Sequence, residues 1–206
     1  MQKLSAFLLI STLTLFLVSC KNETKTEKVD NAIVEVVKAP EGKRAKKKVL
    51  TPEDIEEINS VMSRVMNDSE LKNYASYIVT AGLAQKLSTE KGPFAIFAPS
   101  NSALEFLSAE KKKFYANPEN KAKLEEMLKS HIVEGSSLDK EALLKAINKS
   151  GKAKLKTLGG ITLTASKSGD DIIIVDGKGA KAKIVKGSIE GSNGVLYVVD
   201  GVMNAN

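Results

Sequence analysis

His131 is the only histidine of the chain, and so the only side chain whose ordinary pKa places a proton transfer near neutral pH. Alone it makes neither a catalytic nor a metal site. A hydrolytic triad needs a nucleophile on a sharp turn, and no Gly-x-Ser-x-Gly elbow occurs. A metal centre needs several strong ligands, and there is no second His and no cysteine beyond Cys20. What remains is a partly buried imidazole whose two nitrogens bond backbone or hydroxyl groups. The acid pairs Glu56-Glu57, Glu125-Glu126 and Asp170-Asp171 are sequence neighbours, so their carboxylates cannot face one another and read as surface charge. Gly159-Gly160 and the stretch from Gly191 to Gly194 lack the lysine and following helix of a phosphate-binding loop. Met62 and Met66 stand at helical spacing and are expected to fill core instead of binding metal. No enzyme, metal site or cofactor is expected from this inventory.

Cys20 points elsewhere. Lys3 opens the chain, an apolar run of 15 residues follows from Leu4 to Val18, and small Ser19 precedes the cysteine. The run is short for a permanent span, which wants roughly 20 apolar residues. Leu17-Val18-Ser19-Cys20 resembles the lipobox of bacterial lipoproteins, which implies cleavage before Cys20 and acylation of its thiol. Residues 1–19 are then a signal peptide, and the membrane is a partner through the lipidated N-terminus. Lys21 and Asn22 lack the acidic retention signal of some inner-membrane lipoproteins, so the expected address is the bacterial cell envelope at the outer membrane. With Cys20 acylated, the mature domain has neither a disulfide nor a thiol nucleophile.

Residues 20–50 read as a flexible charged stalk. Residues 21–50 hold nine Lys or Arg against five Asp or Glu, which is most of the formal net charge of +6. The cluster Lys43-Arg44 and Lys46-Lys47-Lys48 suits an anionic surface. Nucleic acid is not expected, because no aromatic residues interleave with the lysines.

Residues 51–206 are expected to form one domain. Thr51-Pro52-Glu53-Asp54 is a helix start, and Ile55, Ile58, Met62 and Val65 then repeat at helical spacing, predicting one buried face. A second helix begins at Asp68-Ser69-Glu70, carries Leu71, Tyr74, Ala75, Ile78 and Val79, and breaks at Gly82. Phe94 to Ala98 is a short strand, ended by Pro99. Ser100 and Asn101 cap a helix bearing Ala103, Leu104, Phe106 and Leu107. Pro118-Glu119-Asn120 starts a helix with Leu124, Met127 and Leu128 inward. Ser137 is expected to cap another with Leu143, Leu144 and Ile147, stopped by Gly151. From there the period changes to short β-rich runs separated by Gly159-Gly160, Gly169-Asp170 and Asp176-Gly177 turns. Ser192-Asn193-Gly194 reads as a tight turn in which Gly194 supplies positive φ. Val195 to Val199 is apolar on both faces, as a central strand is. Helices before hairpins predict an α+β fold.

Three segments in order resemble the fasciclin domain: FAIFAPSNSAL from Phe94, LKSHIVEG from Leu128, and EGSNGVLYVVDGVM from Glu190. The likeness runs from about Ser69 to Met203. It implies N-terminal helices packed on a mixed, largely antiparallel β-wedge or sandwich. It also marks Phe97, Ala98, Pro99, Ser100, Asn101, His131, Ser192, Asn193, Gly194 and Asp200 as family-motif residues, read here as structural. The chain departs from the family at Ser130, where a tyrosine often precedes the histidine, which puts in doubt the receptor contact in which that region is implicated in some animal members. The implied role is non-enzymatic adhesion or binding to proteins or glycans at the cell surface. The alternatives are a structural envelope protein and a small-molecule binder or enzyme, the last requiring a deep cavity around His131.

Overall fold

A computed structural model describes residues 49–205; the lipobox, Cys20 and nearly all of the stalk lie outside the described residues. The chain enters through two short helices, α1 (Pro52–Ile58) and α2 (Val61–Asn67), then α3 (Lys72–Ala81) and α4 (Ala84–Thr89). Strand β1 (Phe94–Pro99) is followed by α5 (Asn101–Glu105), α6 (Ala109–Ala116) and α7 (Lys121–Lys129). Then come β2 (Ile132–Glu134), α8 (Lys140–Ser150) and the strands β3 (Lys152–Lys156), β4 (Thr162–Ser168), β5 (Asp171–Val175), β6 (Lys181–Gly191) and β7 (Gly194–Val199). The strands form one sheet in the order β2-β1-β7-β6-β5-β4-β3. Only β1 and β7 run parallel; every other pair is antiparallel. The two ends of the sheet meet where Val133 bridges Thr157 and the Leu158 N–H donates to the Ile132 carbonyl at 2.7 Å. The sheet is thus nearly a barrel, which leaves little open edge.

Strand alternation explains the two cores. Phe94, Ile96, Ala98, Leu196 and Val198 face the helices, packing with Val61, Val65, Tyr74, Ile78, Leu87, Leu124 and Leu128. Ala95, Phe97, Val195, Tyr197 and Val199 point the other way, into the wrapped sheet, with Leu143, Ile147, Leu155, Leu163 and Ile174. All of β1 and nearly all of β7 is therefore buried, and each large side chain contributes roughly 1.5–3 kcal/mol through burial. Phe97 stacks on Tyr197 with ring centroids 5.3 Å apart.

The predicted helix starts at Thr51 and Pro118 and the stops at Gly82 and Gly151 stand where expected. Thr51 and Asp54 form a reciprocal capping box, and both glycines take left-handed φ. Several expectations need correction. Ile55 and Ile58 are about half exposed, because the chain breaks at Asn59 and Ser60 caps a new helix through the Ser63 N–H. The helical phase does not carry across that break. Met62 is core, but Met66, in the last turn of α2, is 56% exposed. Val79 is half exposed, and Phe106, just past the five-residue α5, is exposed. The cap of α8 is Asp139, not Ser137: its carboxylate accepts the Ala142 N–H at 2.8 Å. Gly194 does not have positive φ. A side chain there would overlap the Phe94 carbonyl, so its role is close approach of two strands. Helices α4 and α6 and strand β2 have no counterpart in the sequence reading.

Candidate functional site

His131 sits where α7 ends and β2 begins, and it is fully buried. Its carbonyl accepts the Phe97 N–H at 2.9 Å, which ties the junction to the middle of β1. The ring partners fix its tautomer. Met127 offers a carbonyl 2.9 Å from Nδ1 and can only accept, so Nδ1 carries the proton. The Met203 amide donates to Nε2 at 2.9 Å, so Nε2 presents its lone pair to the backbone. Burial drives the imidazole pKa down to about 4; the Met127 hydrogen bond and the charge of Asp176 oppose this without overcoming it. The ring is neutral at physiological pH. The edge of Tyr74 packs near it, 6.2 Å between centroids.

The neighbouring polar groups continue the same pattern. Asn204, at φ 51, donates its amide to Asp176 Oδ2 at 2.8 Å and its Nδ2 to Ser130 Oγ at 3.0 Å. Ser130 in turn donates to the Glu126 carbonyl at 2.9 Å. The second oxygen of Asp176 accepts the Lys178 and Ala180 amides, each at 2.9 Å. Residues 126–131, 176–180 and 203–204 are clasped by one buried network. Both nitrogens of His131 are occupied, and Ser130 does not bond the ring, so no nucleophile–base pair is assembled. Sequence reasoning missed Asp176 and Asn204 as members of the network. Asp176 showed only as a turn residue, and Asn204 lay beyond the last quoted motif.

The other marked residues sit at separate joints. Asn193 Oδ1 accepts the Val61 N–H at 2.8 Å, and its Nδ2 donates to the carbonyls of Leu87 and Glu90 at 3.0 and 2.7 Å. Its own carbonyl takes the Phe94 N–H at 2.9 Å, so one asparagine joins α2, α4 and β1. Ser192 donates to the Glu56 carbonyl at 2.7 Å and its amide to that of Asn59. Ser100 Oγ caps α5 through the Ala103 N–H, one residue beyond Pro99 at the end of β1. Asn101 accepts the Asn73 N–H and donates to Ser69, both at 3.0 Å, pinning the start of α3. Asp200 accepts the Lys183 N–H at 2.6 Å. Phe97 and Ala98 are core. The structure does not bring these residues into one pocket.

A groove of about 500 Å3 opens between α6, α7 and the carboxy-terminal turn. Phe114, Tyr115 and Met127 give it apolar walls, and Glu110, Lys111, Lys123, Glu126 and Lys178 line it with charge of both signs. It does not reach His131. Among the described residues no group of three or more His, Cys, Asp or Glu could hold a metal ion.

A nearly closed mixed sheet with helices on its central parallel pair is the fasciclin fold. It is shared with a domain pair from the insect cell adhesion molecule Fasciclin I: TM-score 0.63 at 15% identity, over 70% of this chain and 50% of that one. The family described as the Fasciclin domain matches residues 69–205, and the chain belongs to it. Protein sll1483 of Synechocystis sp. is 34% identical over 128 residues, covering 61% of this chain and 62% of that protein. Human Stabilin-1 is 28% identical over 112 residues, which is 54% of this chain and 4% of Stabilin-1. The chain thus spans less than two thirds of either relative's length.

Proposed function

We propose that this chain is a lipid-tethered, non-enzymatic adhesion module that binds a protein or glycan partner at the bacterial cell envelope. One observation carries the non-enzymatic part: among the described residues, the polar side chains of the family motifs, His131 included, are bonded to backbone or to a neighbour within a joint of the frame. The His131 lone pair is the clearest case, since an amide already occupies it and no substrate can reach it. A rigid frame with its reactive groups consumed leaves the exposed surface for recognition. The likeness to a domain from an insect cell adhesion molecule supports the adhesive part, and the Synechocystis relative supports a bacterial setting. The tether rests on Leu17-Val18-Ser19-Cys20, with burial of acyl chains contributing about 0.8 kcal/mol per methylene. The outer membrane is the address this reading assigns.

Mass spectrometry of the chain from its native membrane should show a processed N-terminus with an acylated Cys20. Cys20→Ser should release the domain into the soluble fraction. Cells lacking the chain should attach less to surfaces or to one another, and attachment should return with the wild type but not with Cys20→Ser. An unprocessed Met1, or unchanged attachment in the deletion strain, contradicts the proposal.

A further inference from the structure

The outer face of β3 to β6 has a regular chemistry that none of the joints uses. The register sets two cross-strand rows. One runs Lys152, Ser166, Ile173, Lys183; the next runs Lys154, Thr164, Val175, Lys181. Lys156 and Thr162 begin a third. Directly paired residues share a face, and the alternate set Ala153, Leu155, Leu163, Ala165, Ile174 and Ala182 is buried, so the rows face outward. Each full row therefore reads lysine, hydroxyl, aliphatic, lysine. Neighbouring rows are about 6.6–6.8 Å apart along the strands, and the two lysine columns about 14 Å apart across them. Five lysines stand here against Asp171, 3.7 Å from Lys183, and Asp200, both beside Lys183. Among the described residues no acid pairs with Lys152, Lys154, Lys156 or Lys181. A shallow depression lies within the face, lined by Ser166, Ser168, Ile173, Val175, Lys181, Ala182 and Lys183, with the carboxylate of Asp200 at its Lys183 end.

We infer that this face binds an anionic polysaccharide, one whose sugars carry carboxylate or sulfate groups. The inference rests on the adhesion reading and names its partner. The two lysine columns match a polyanion by charge. The middle of each row matches a sugar: Ser and Thr hydroxyls exchange hydrogen bonds with ring hydroxyls, and Ile173 and Val175 meet the apolar C–H face of the ring. A phosphate backbone or a lipid headgroup layer uses the lysines but has no use for the hydroxyl–aliphatic stripe between them. The lysine side chains project from a regular sheet, so the charges are positioned by the strand repeat.

The test uses the Cys20→Ser chain purified from the soluble fraction, which has no acyl anchor to insert into a bilayer, and polygalacturonate, with neutral dextran, phosphatidylglycerol vesicles and duplex DNA as comparison probes. The expected result is binding to polygalacturonate that weakens with salt, no binding to dextran, and weaker binding to vesicles and DNA. Lys152→Gln/Lys154→Gln/Lys181→Gln should lower polygalacturonate affinity by about tenfold or more with an unchanged melting temperature. Neutralising Lys43, Arg44, Lys46, Lys47 and Lys48 should change it by about twofold or less. Ile173→Ser should weaken polygalacturonate binding while leaving binding to DNA unaltered. Equal or tighter binding to vesicles or DNA, a triple variant that binds normally, or loss of binding through the 43–48 cluster alone would each overturn the assignment. If polygalacturonate binding fails while cells carrying the chain still attach, this surface is wrong and the adhesion reading stands; failure of both removes that reading too.

Discussion

Because His131 is the only histidine, stability between pH 5 and pH 7.5 reports chiefly on one ring. In the unfolded chain it titrates near its ordinary value of 6.5; in the fold, burial holds the pKa down to about 4. At pH values between these two the unfolded state binds a proton that the folded state refuses. The contribution is fully present above pH 6.5 and is lost as pH falls toward 4, so stability rises with pH across the window. The full span of the shift corresponds to about 3 kcal/mol, and the part between pH 7.5 and pH 5 to about 2 kcal/mol. For a domain of this size that is a drop in melting temperature of about 4–8 °C. Thermal and urea unfolding of the full chain at intervals of half a pH unit would measure it. His131→Gln, whose amide can still donate and accept, should lower stability overall yet flatten the slope. A wild type that melts identically at pH 5 and 7.5, or a variant that keeps the slope, would refute the reasoning.

Three further outcomes follow from the joints. Asn193→Ala leaves the buried Val61 amide without an acceptor and two carbonyls without a donor, so urea unfolding should show a loss of about 3–5 kcal/mol. Gly194→Ala drives a methyl into the Phe94 carbonyl at the parallel pair. It should cost about 3 kcal/mol or more, with exchange protection of the β1 and β7 amides reduced in proportion. Tyr74→Phe removes a fully buried hydroxyl that has no hydrogen-bond partner among the described residues, so calorimetry should find the variant as stable as the wild type or more stable by about 1 kcal/mol.

Local signals in the sequence were read well where a single residue carries the physics. Thr51-Pro52, Pro118, Gly82 and Gly151 mark helix ends through caps and φ alone, and the strand runs from Leu155 to Val199 show period and turn residues together. What stayed hidden depends on distant partners. Ile55 and Ile58 have the spacing of a core face, but Ser60 restarts the helix and leaves them about half exposed among the described residues. Helix α6 is half lysine and glutamate with little amphipathic pattern, and three-residue β2 is too short to show a period. The clasp was half legible: His131 stood out by type, whereas Asp176 and Asn204 reach it from 45 and 73 residues away. Gly194 stands at the expected turn, but the need for glycine there comes from a strand 100 residues earlier that no local pattern shows.

That reactive groups are consumed as joints can be read from nitrogen-15 resonances of the single imidazole, followed from pH 7.5 to pH 5. The structure requires a neutral Nδ1–H ring throughout, its Nε2 shift marking an accepted hydrogen bond and a through-bond coupling to the Met203 amide. An imidazole that gains its second proton near pH 6.5, or that shows Nε2 protonated and open to solvent, would mean the ring is free to act on something else.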